Sequence, residues 1–345
     1  MDGAALLGTP KPAPRAGAVV RPKRQGTSAW PLIDRIGYWL CWATGIALCL
    51  IVLWIVVYMM IKGIGYLRPA LFVEHPAASL QQSKSGGFLD PIEGTLIITA
   101  IGTLIAAPTG IGIAVWLSEY ARPAPLARAV ESAVDVIAGV PSVVLAIFGL
   151  LVFSESFLGF LSEHAANGTV YGRSFFAAGI VMALLALPLI VGSTREALSQ
   201  VPDRVREASY ALGKSRASTI RCVLLPSIRP DVASGIALGM GRIIGDTAII
   251  TILLGQTLTT QAVGGTPVLG LLRGTGSTLT SYVFYNSPAG EGNSPQKAYA
   301  AAFVLLVIVL LLNALVTALT GGRRLDRLGI GARLSLIGRS FPWIP

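Results

Sequence analysis

The sequence predicts an all-α integral membrane protein with six transmembrane helices. Hydrophobic residues make up 53% of its 345 residues and charged residues only 13%, about half the charged share of a soluble domain. Six apolar runs are long enough to cross about 30 Å of hydrocarbon. They are Ile36–Ile61, Pro91–Leu117, Leu126–Phe153, Phe175–Gly192, Val232–Leu254 and Ala298–Leu319. The third and fifth runs also contain charged residues, and the third contains Pro141.

The basic residues outside these runs predict the orientation of the chain, because cytoplasmic loops carry an excess of Lys and Arg. With the N-terminus inside, twenty of the 27 basic residues fall in cytoplasmic segments and six in outer ones, and the last is Arg242. Both termini are therefore predicted in the cytoplasm. The same scatter through short loops argues against nucleic acid as the reason for the net charge of +10.

The composition divides the chain into four segments. The first is rich in Pro, Gly and basic residues and lacks apolar periodicity, which predicts disorder. The predicted segments are a disordered cytoplasmic tail at 1–30, the first transmembrane helix and outer loop at 31–85, the transmembrane core at 86–320 and a cytoplasmic tail at 321–345. In the outer loop Thr257–Lys297, an apolar cluster from Pro267 to Leu272 suggests a short re-entrant or interfacial helix.

A polar, Arg-rich segment follows the fourth run on the predicted cytoplasmic side, from Val201 to Pro226. Asp203 can cap a helix N-terminus, and Gly213 can supply the left-handed stop at its end. A second helix is predicted from about Ser215 until Pro226 ends it. Apolar residues share one face of the first helix, which predicts that it docks in a groove of a partner. We call Val201–Pro226 the docking segment.

The spacing in the docking segment resembles the EAA motif of ABC importer permeases, E-A-A-x3-G-x9-I-x-L-P. Glu207-Ala208-Ser209 is followed after three residues by Gly213, and Val223 precedes the Leu-Pro pair by one spacer. Ser209 replaces the third motif residue and Val223 replaces the Ile. In that family this segment is the coupling helix, which lies in a cleft of the nucleotide-binding subunit. The residues with this implied ATPase-coupling role are Glu207, Ala208, Ser209, Gly213, Leu225 and Pro226.

The chain itself is not predicted to bind ATP or any other cofactor. Gly213-Lys214-Ser215 matches only the end of a phosphate-binding P-loop, whose first glycine would have to be residue 208, which is alanine. The three cysteines lie far apart and predict neither a metal site nor a disulfide framework. The resemblance implies that ATP is bound and hydrolysed by a partner subunit, so the chain is predicted not to be an enzyme.

The fifth run places Arg242 about 15 Å from its start, close to the bilayer centre. A charge there costs roughly 2.5–3.5 kcal/mol and is usually functional. Asp246 follows four residues later and is predicted on the same helix face, where it can pair with Arg242. One interpretation is therefore an internal ion pair that holds helices together. The four nearby glycines are predicted to let neighbouring helices approach closely. They are Gly235, Gly239, Gly241 and Gly245.

The other interpretation is an anion site, because arginine presents planar, bidentate donors that match a tetrahedral oxyanion. Hydrogen phosphate has a hydroxyl that can donate to Asp246. Sulfate has none at neutral pH and would leave a buried acceptor unpaired against it. Phosphate would then be selected by rejection of sulfate.

The fifth run also contains a stretch similar to a sequence motif of phosphate-specific ABC permeases, Arg-x-x-Gly-Glu-Thr. Arg242-Ile-Ile-Gly245-Asp246-Thr247 carries it here with Asp for Glu, so the resemblance implies substrate binding by Arg242, Asp246 and Thr247. Other stretches are similar to the A-type subunit, although A-type relatives often carry an Arg where this chain has Gly192. These stretches are Gly94-Thr95, Leu117-Ser-Glu119-Tyr120 and Asp135-Val-Ile-Ala-Gly139-Val-Pro141-Ser142.

The resemblance covers about residues 86–320 and implies the A-type permease subunit of an ATP-driven phosphate importer in the inner membrane of a prokaryote. The implied partners are a sister permease subunit, two ATP-binding subunits, an extracytoplasmic phosphate-binding protein and the lipid bilayer. Three alternatives remain open. They are the C-type sister subunit, an ABC permease for another oxyanion or an organic solute, and a secondary transporter or channel without ATPase partners.

Overall fold

The computed structural model describes residues 32–76, 86–121, 123–154, 158, 161, 172–255, 267–288, 290 and 294–320. The regular structure in these ranges is helical, as predicted, and contains no β-strand. The predicted tails at 1–30 and 321–345 lie outside the described residues, as does part of the outer loop Thr257–Lys297. The apolar cluster in that loop does form a short helix.

The α-helices are α1 Leu32–Ile64, α2 Leu89–Val115, α3 Ala124–Gly139, α4 Ser142–Ser154, α5 Phe175–Ser199, α6 Asp203–Ala211, α7 Arg216–Thr219, α8 Leu225–Ser227, α9 Arg229–Gly245, α10 Ala248–Leu253, α11 Pro267–Arg273, α12 Leu279–Asn286 and α13 Pro295–Thr320. Two π-helical turns extend α2 and α7, at Trp116–Tyr120 and Ile220–Leu224, and a 3-10 helix covers Pro69–Phe72.

Four helices among the described residues are long and apolar enough to cross a membrane, or five if the bent pair α3 and α4 forms one span. The predicted count of six single spans is not reproduced, because two of the six runs are not continuous helices. The third run bends by 109° between α3 and α4. Val140 is extended there, with φ −73° and ψ 130°, which is the conformation that a following proline favours.

The chain divides into two units, residues 1–57 and 58–345. The first unit contains most of α1, and no residue in the most apolar stretch of this helix is buried. Most of its large apolar side chains, from Leu32 to Ile64, are exposed. A helix that is apolar on every side is typical of a membrane span, which agrees with the predicted first transmembrane helix.

In the second unit, α5 lies at the centre of the core, with α2 and α9 packed along it. Close approach depends on glycines on both helices. A Cβ on Gly179 of α5 would lie 2.4 Å from the Ile101 side chain, and one on Gly110 of α2 would lie 2.9 Å from the Ile190 side chain. The core that results connects α9 and α10 to α2 through α5.

Candidate functional site

The docking segment folds as two helices joined by a turn, as its sequence predicts. Gly213 ends the first helix with a φ of +77°, the left-handed conformation that glycine adopts most easily. The predicted cap is wrong, because Asp203 is the first residue of α6 and Pro202 occupies the capping position. Ser215 caps the second helix by accepting a hydrogen bond from the Ser218 N–H at 3.3 Å.

The motif residues of the docking segment differ in burial. Glu207, Ala208 and Gly213 are exposed, and Leu225 and Pro226 are half-buried. The helix does not stop at Pro226 as predicted but continues to Ser227, since proline is tolerated in the first turn of the short helix α8. The predicted docking face of α6 is exposed to solvent. Its members are Val205, Ala208, Ala211 and Leu212.

Ser209, which replaces the third motif residue, is buried and joins the two helices of the docking segment. Its hydroxyl lies 2.8 Å from the Thr219 hydroxyl, and Thr219 is fully buried. Alanine, the usual residue of the motif, could not make this hydrogen bond. The substitution therefore adds a connection between α6 and α7.

Two contacts that the sequence did not predict hold the docking segment against the end of α2. The Arg206 Nε donates to Glu119 Oε1 at 3.1 Å. The Arg216 guanidinium lies over the Tyr120 ring, 5.4 Å from its centroid, within the range of a cation–π interaction. The resemblance of Leu117-Ser-Glu119-Tyr120 to the A-type subunit does not predict these contacts.

The fifth run breaks at Asp246 instead of continuing as one helix. α9 ends at Gly245, and Asp246 is extended, with φ −82° and ψ 120°. Its Oδ1 accepts a hydrogen bond from the Ile249 N–H at 3.0 Å and so caps the first turn of α10. Aspartate competes with the helix in this way because its short side chain bonds to nearby backbone. The prediction that Asp246 shares a helix face with Arg242 is therefore wrong.

Arg242 is exposed, and it forms no ion pair within the described part of the chain. The interpretation of an internal ion pair with Asp246 is therefore wrong for this structure. Arg242 belongs to an exposed stripe on α9 that also contains Asp231, Ser234, Leu238 and Gly245. The opposite side of α9 packs on α5, so the guanidinium lies away from the core.

The glycines of α9 divide between these two sides. A Cβ on Gly235 or Gly239 would meet α5, with Ile190 Cγ1 3.1 Å from the Gly239 position, whereas a Cβ on Gly241 or Gly245 would meet no described atom of this chain within 4 Å. The prediction that all four glycines serve packing is confirmed for the first two, and within the described part of this chain it does not hold for the last two. The open side of α9 is therefore lined by small residues beside Arg242.

Valine substitutions should separate the two kinds of glycine. Gly239→Val is expected to destabilise the protein, because overpacking a tight contact costs about 1–3 kcal/mol. Gly241→Val should leave stability nearly unchanged, since its added atoms enter open space. Thermal unfolding of the two variants in detergent would test this. Equal loss of stability in both would contradict the packing that we describe for α9.

The family described as "Binding-protein-dependent transport system inner membrane component" matches residues 106–324. The chain belongs to this family. The matched region contains both the docking segment and the Arg242–Thr247 stretch. The chain is thus an inner membrane permease component of the ABC importer type, as the resemblance in its motifs implies.

Proteins similar to this chain include phosphate permeases of both the A and the C type. The chain is 31% identical over 234 residues to "Phosphate transport system permease protein PstA 1" of Mycobacterium tuberculosis strain H37Rv, covering 68% of this chain and 70% of the relative. It is 31% identical over 237 residues to "Phosphate transport system permease protein PstC" of Xylella fastidiosa strain 9a5c, covering 65% and 69%. These names agree with the resemblance to phosphate-specific permeases.

Solved structures confirm the fold. A chain of the bacterial alginate ABC transporter, in complex with its alginate-bound periplasmic protein, matches with a TM-score of 0.58 at 18% identity. The match covers 85% of this chain and 95% of that chain. The inner membrane component family and this structural likeness together give the all-α permease fold that the sequence predicts.

Proposed function

We propose that this chain is the A-type permease subunit of an ATP-driven importer that moves inorganic phosphate across the cytoplasmic membrane of a prokaryote. The observation that carries the proposal is the position of Arg242. It lies inside an apolar run, on an exposed side of α9, without an ion pair in the described chain. An arginine at lipid depth requires a cavity or a partner, and an oxyanion supplies the matching charge.

Arg242, Asp246 and Thr247 would form the substrate site around the break between α9 and α10. The guanidinium would bind two phosphate oxygens with parallel N–H donors. The Asp246 Oδ1 is engaged in capping α10, and Oδ2 would accept the hydroxyl of hydrogen phosphate. Sulfate lacks that hydroxyl, so its oxygens would face a carboxylate with no proton between them.

The docking segment would couple this site to ATP. Its exposed apolar face on α6 fits a groove of an ATP-binding subunit, with the implied coupling residues Glu207, Ala208, Ser209, Gly213, Leu225 and Pro226. A sister permease would complete the pore, and a second ATP-binding subunit would complete the ATPase pair. An extracytoplasmic phosphate-binding protein would deliver the substrate, and both termini would lie in the cytoplasm.

Uptake of labelled anions tests the cargo. A strain without this gene is expected to lose most phosphate uptake at low external phosphate and to keep sulfate uptake, and a plasmid copy should restore the loss. The empty plasmid is the control. Normal phosphate uptake, or loss of sulfate or molybdate uptake instead, would contradict the proposed substrate.

The C-type assignment is a second candidate, because relatives of the C type match this chain with the same 31% identity. Purification of the native complex decides between the two. An A-type subunit should co-purify with a C-type sister and with the ATPase, whereas a C-type subunit should bring down an A-type sister. A chain that purifies without an ATPase would favour a secondary transporter or channel.

A further inference from the structure

We propose that Glu119, Tyr120, Arg206 and Arg216 form a clamp that transmits movement between the docking segment and α2. The inference rests on the proposed function, because it assumes that an ATPase moves the docking segment. It assigns to the end of α2 a role in coupling that its sequence alone does not reveal. Arg206 and Glu119 act in it as positioning residues.

The centre of the clamp is a buried ion pair. The side chains of Arg206 and Glu119 are only 19% and 6% exposed. Besides Glu119, the Arg206 guanidinium donates to the Val201 carbonyl at 2.7 Å and to the Leu198 carbonyl at 2.9 Å. It also donates to the exposed Asp203 Oδ1 at 3.1 Å within α6. Such charge-assisted bonds are strong and directional when shielded from water. Arg206 is therefore held by several partners at once.

Arg206, Glu119 and Leu198 belong to three different elements. Leu198 lies in the last turn of α5, where carbonyls lack partners within the helix, and Glu119 lies at the end of α2. Arg206 itself lies on α6. The Arg206 side chain thus joins α6 to the ends of two core helices, α2 and α5.

The end of α2 has the local geometry to present two consecutive side chains to the docking segment. Trp116–Tyr120 forms a π-helical turn, closed by a hydrogen bond from the Ala121 N–H to the Trp116 carbonyl at 2.9 Å. Such turns occur frequently at functional sites. From this turn Glu119 reaches α6, and Tyr120 reaches Arg216 on α7.

The Arg206–Glu119 contact on α6 and the Arg216–Tyr120 contact on α7 move together, because α6 and α7 are themselves connected. The buried hydrogen bond between Ser209 and Thr219 links the helices at 2.8 Å. A push on α6 must therefore move α7 and the end of α2, or else break the Arg206–Glu119 pair. Breaking it would separate the buried Glu119 carboxylate from Arg206, which is costly for a buried charge, whereas Arg206 would keep the exposed Asp203.

α2 leads from the clamp towards the proposed substrate site. Gly102 of α2 contacts the side chain of Ile243, the neighbour of Arg242, since a Cβ on Gly102 would lie 2.9 Å from Ile243 Cδ1. The helical rise places Gly102 about 25 Å from Glu119. One continuous helix with its π-turn thus connects the docking segment to the α9 turn that carries Arg242.

The complete transporter in proteoliposomes tests the clamp. Phosphate uptake and ATP hydrolysis would be measured in the same vesicles, with the phosphate-binding protein present. Glu119→Gln is expected to lower the phosphate moved per ATP at least about fivefold, while the ATPase still co-purifies. Arg206→Gln should lower this ratio at least as much, because it also loses the bonds to Leu198, Val201 and Asp203. The double variant should be no worse than Arg206→Gln alone, because Glu119 acts through Arg206.

Glu131→Gln is the matched control. It breaks the ion pair between Arg195 and Glu131, whose length is 2.8 Å and whose side chains are 38% and 44% exposed. That pair does not touch the docking segment, so the phosphate moved per ATP should stay unchanged. An unchanged ratio in Glu119→Gln would overturn the proposal. Losses that multiply in the double variant would also overturn it.

A second readout separates the clamp from the cargo. The stimulation of ATPase activity by the binding protein should fall in Glu119→Gln whichever anion is carried, whereas a wild-type complex that moves no phosphate would refute only the proposed function. If Glu119→Gln does not accumulate, Tyr120→Leu removes the cation–π contact alone and should lower the stimulation about twofold. Full stimulation in Tyr120→Leu, or failure of both variants to accumulate, would overturn the clamp.

Discussion

Replacing Arg242 with glutamine is expected to lower phosphate uptake by at least about a hundredfold. Glutamine removes the positive charge, and a hydrogen bond to a charged group contributes about 1.5–3 kcal/mol, where about 1.4 kcal/mol corresponds to a factor of ten. Two such bonds to one anion are lost together. The initial rate of labelled phosphate uptake, in a strain without the chromosomal gene, measures the effect.

Arg242→Lys should recover only a small part of this loss. Lysine keeps the charge but offers a point-like ammonium instead of a planar fork. Because Arg242 is exposed and has no ion pair in the described chain, neither variant should disturb folding or co-purification of the complex. Leu238→Ala, in the same exposed stripe of α9, is the matched control and should transport normally. Normal uptake by Arg242→Gln would show that the substrate site is elsewhere.

The turn in the docking segment could be predicted from the sequence because its cause is local. Gly213 has a φ of +77°, and glycine adopts this left-handed conformation more easily than other residues, whatever surrounds it. The helices on either side follow from the same short-range preferences. The contact between Arg206 and Glu119 could not be predicted in this way, because 87 residues separate the two. The sequence around Arg206 does not indicate Glu119 as a partner, and the sequence around Glu119 does not indicate Arg206.

The third and fifth runs show what hydropathy does not detect. The mean hydropathy of the fifth run counts Asp246 as one polar residue within a continuous helix. In the structure its side chain instead caps the first turn of a second helix, α10. Pro141 marks the place where the third run changes direction, but the 109° bend between α3 and α4 does not appear in a hydropathy average. Sequence periodicity therefore located both stretches and missed the geometry of each.

The division of α9 into a packed and an open side was also beyond the sequence. Four glycines within eleven residues look alike, and all are small enough for close packing. Only the position of α5 decides that Gly239 packs and Gly241 does not. That same asymmetry leaves Arg242 accessible, which is the feature on which the proposed site depends.

Asp246 should tolerate asparagine as a helix cap but not as a substrate ligand. Asparagine caps helices about as well as aspartate, so Asp246→Asn should unfold at nearly the same temperature as the wild type. It lacks the second carboxylate oxygen that would accept the phosphate hydroxyl. We expect phosphate uptake to fall about tenfold or more, and the preference over sulfate to narrow. Uptake of both labelled anions, together with thermal unfolding, measures the two effects separately.

Two further substitutions divide the roles of this residue. Asp246→Ala should lose the cap as well, at a cost of about 1 kcal/mol in stability, and should also lose uptake. Asp246→Glu keeps a carboxylate and introduces the Glu of the phosphate-permease motif that this chain resembles, so it should keep selectivity even though its side chain is longer by one methylene. If Asp246→Asn retained full uptake and selectivity, capping alone would explain the residue. Rejection of sulfate would then have to come from another group beside Arg242.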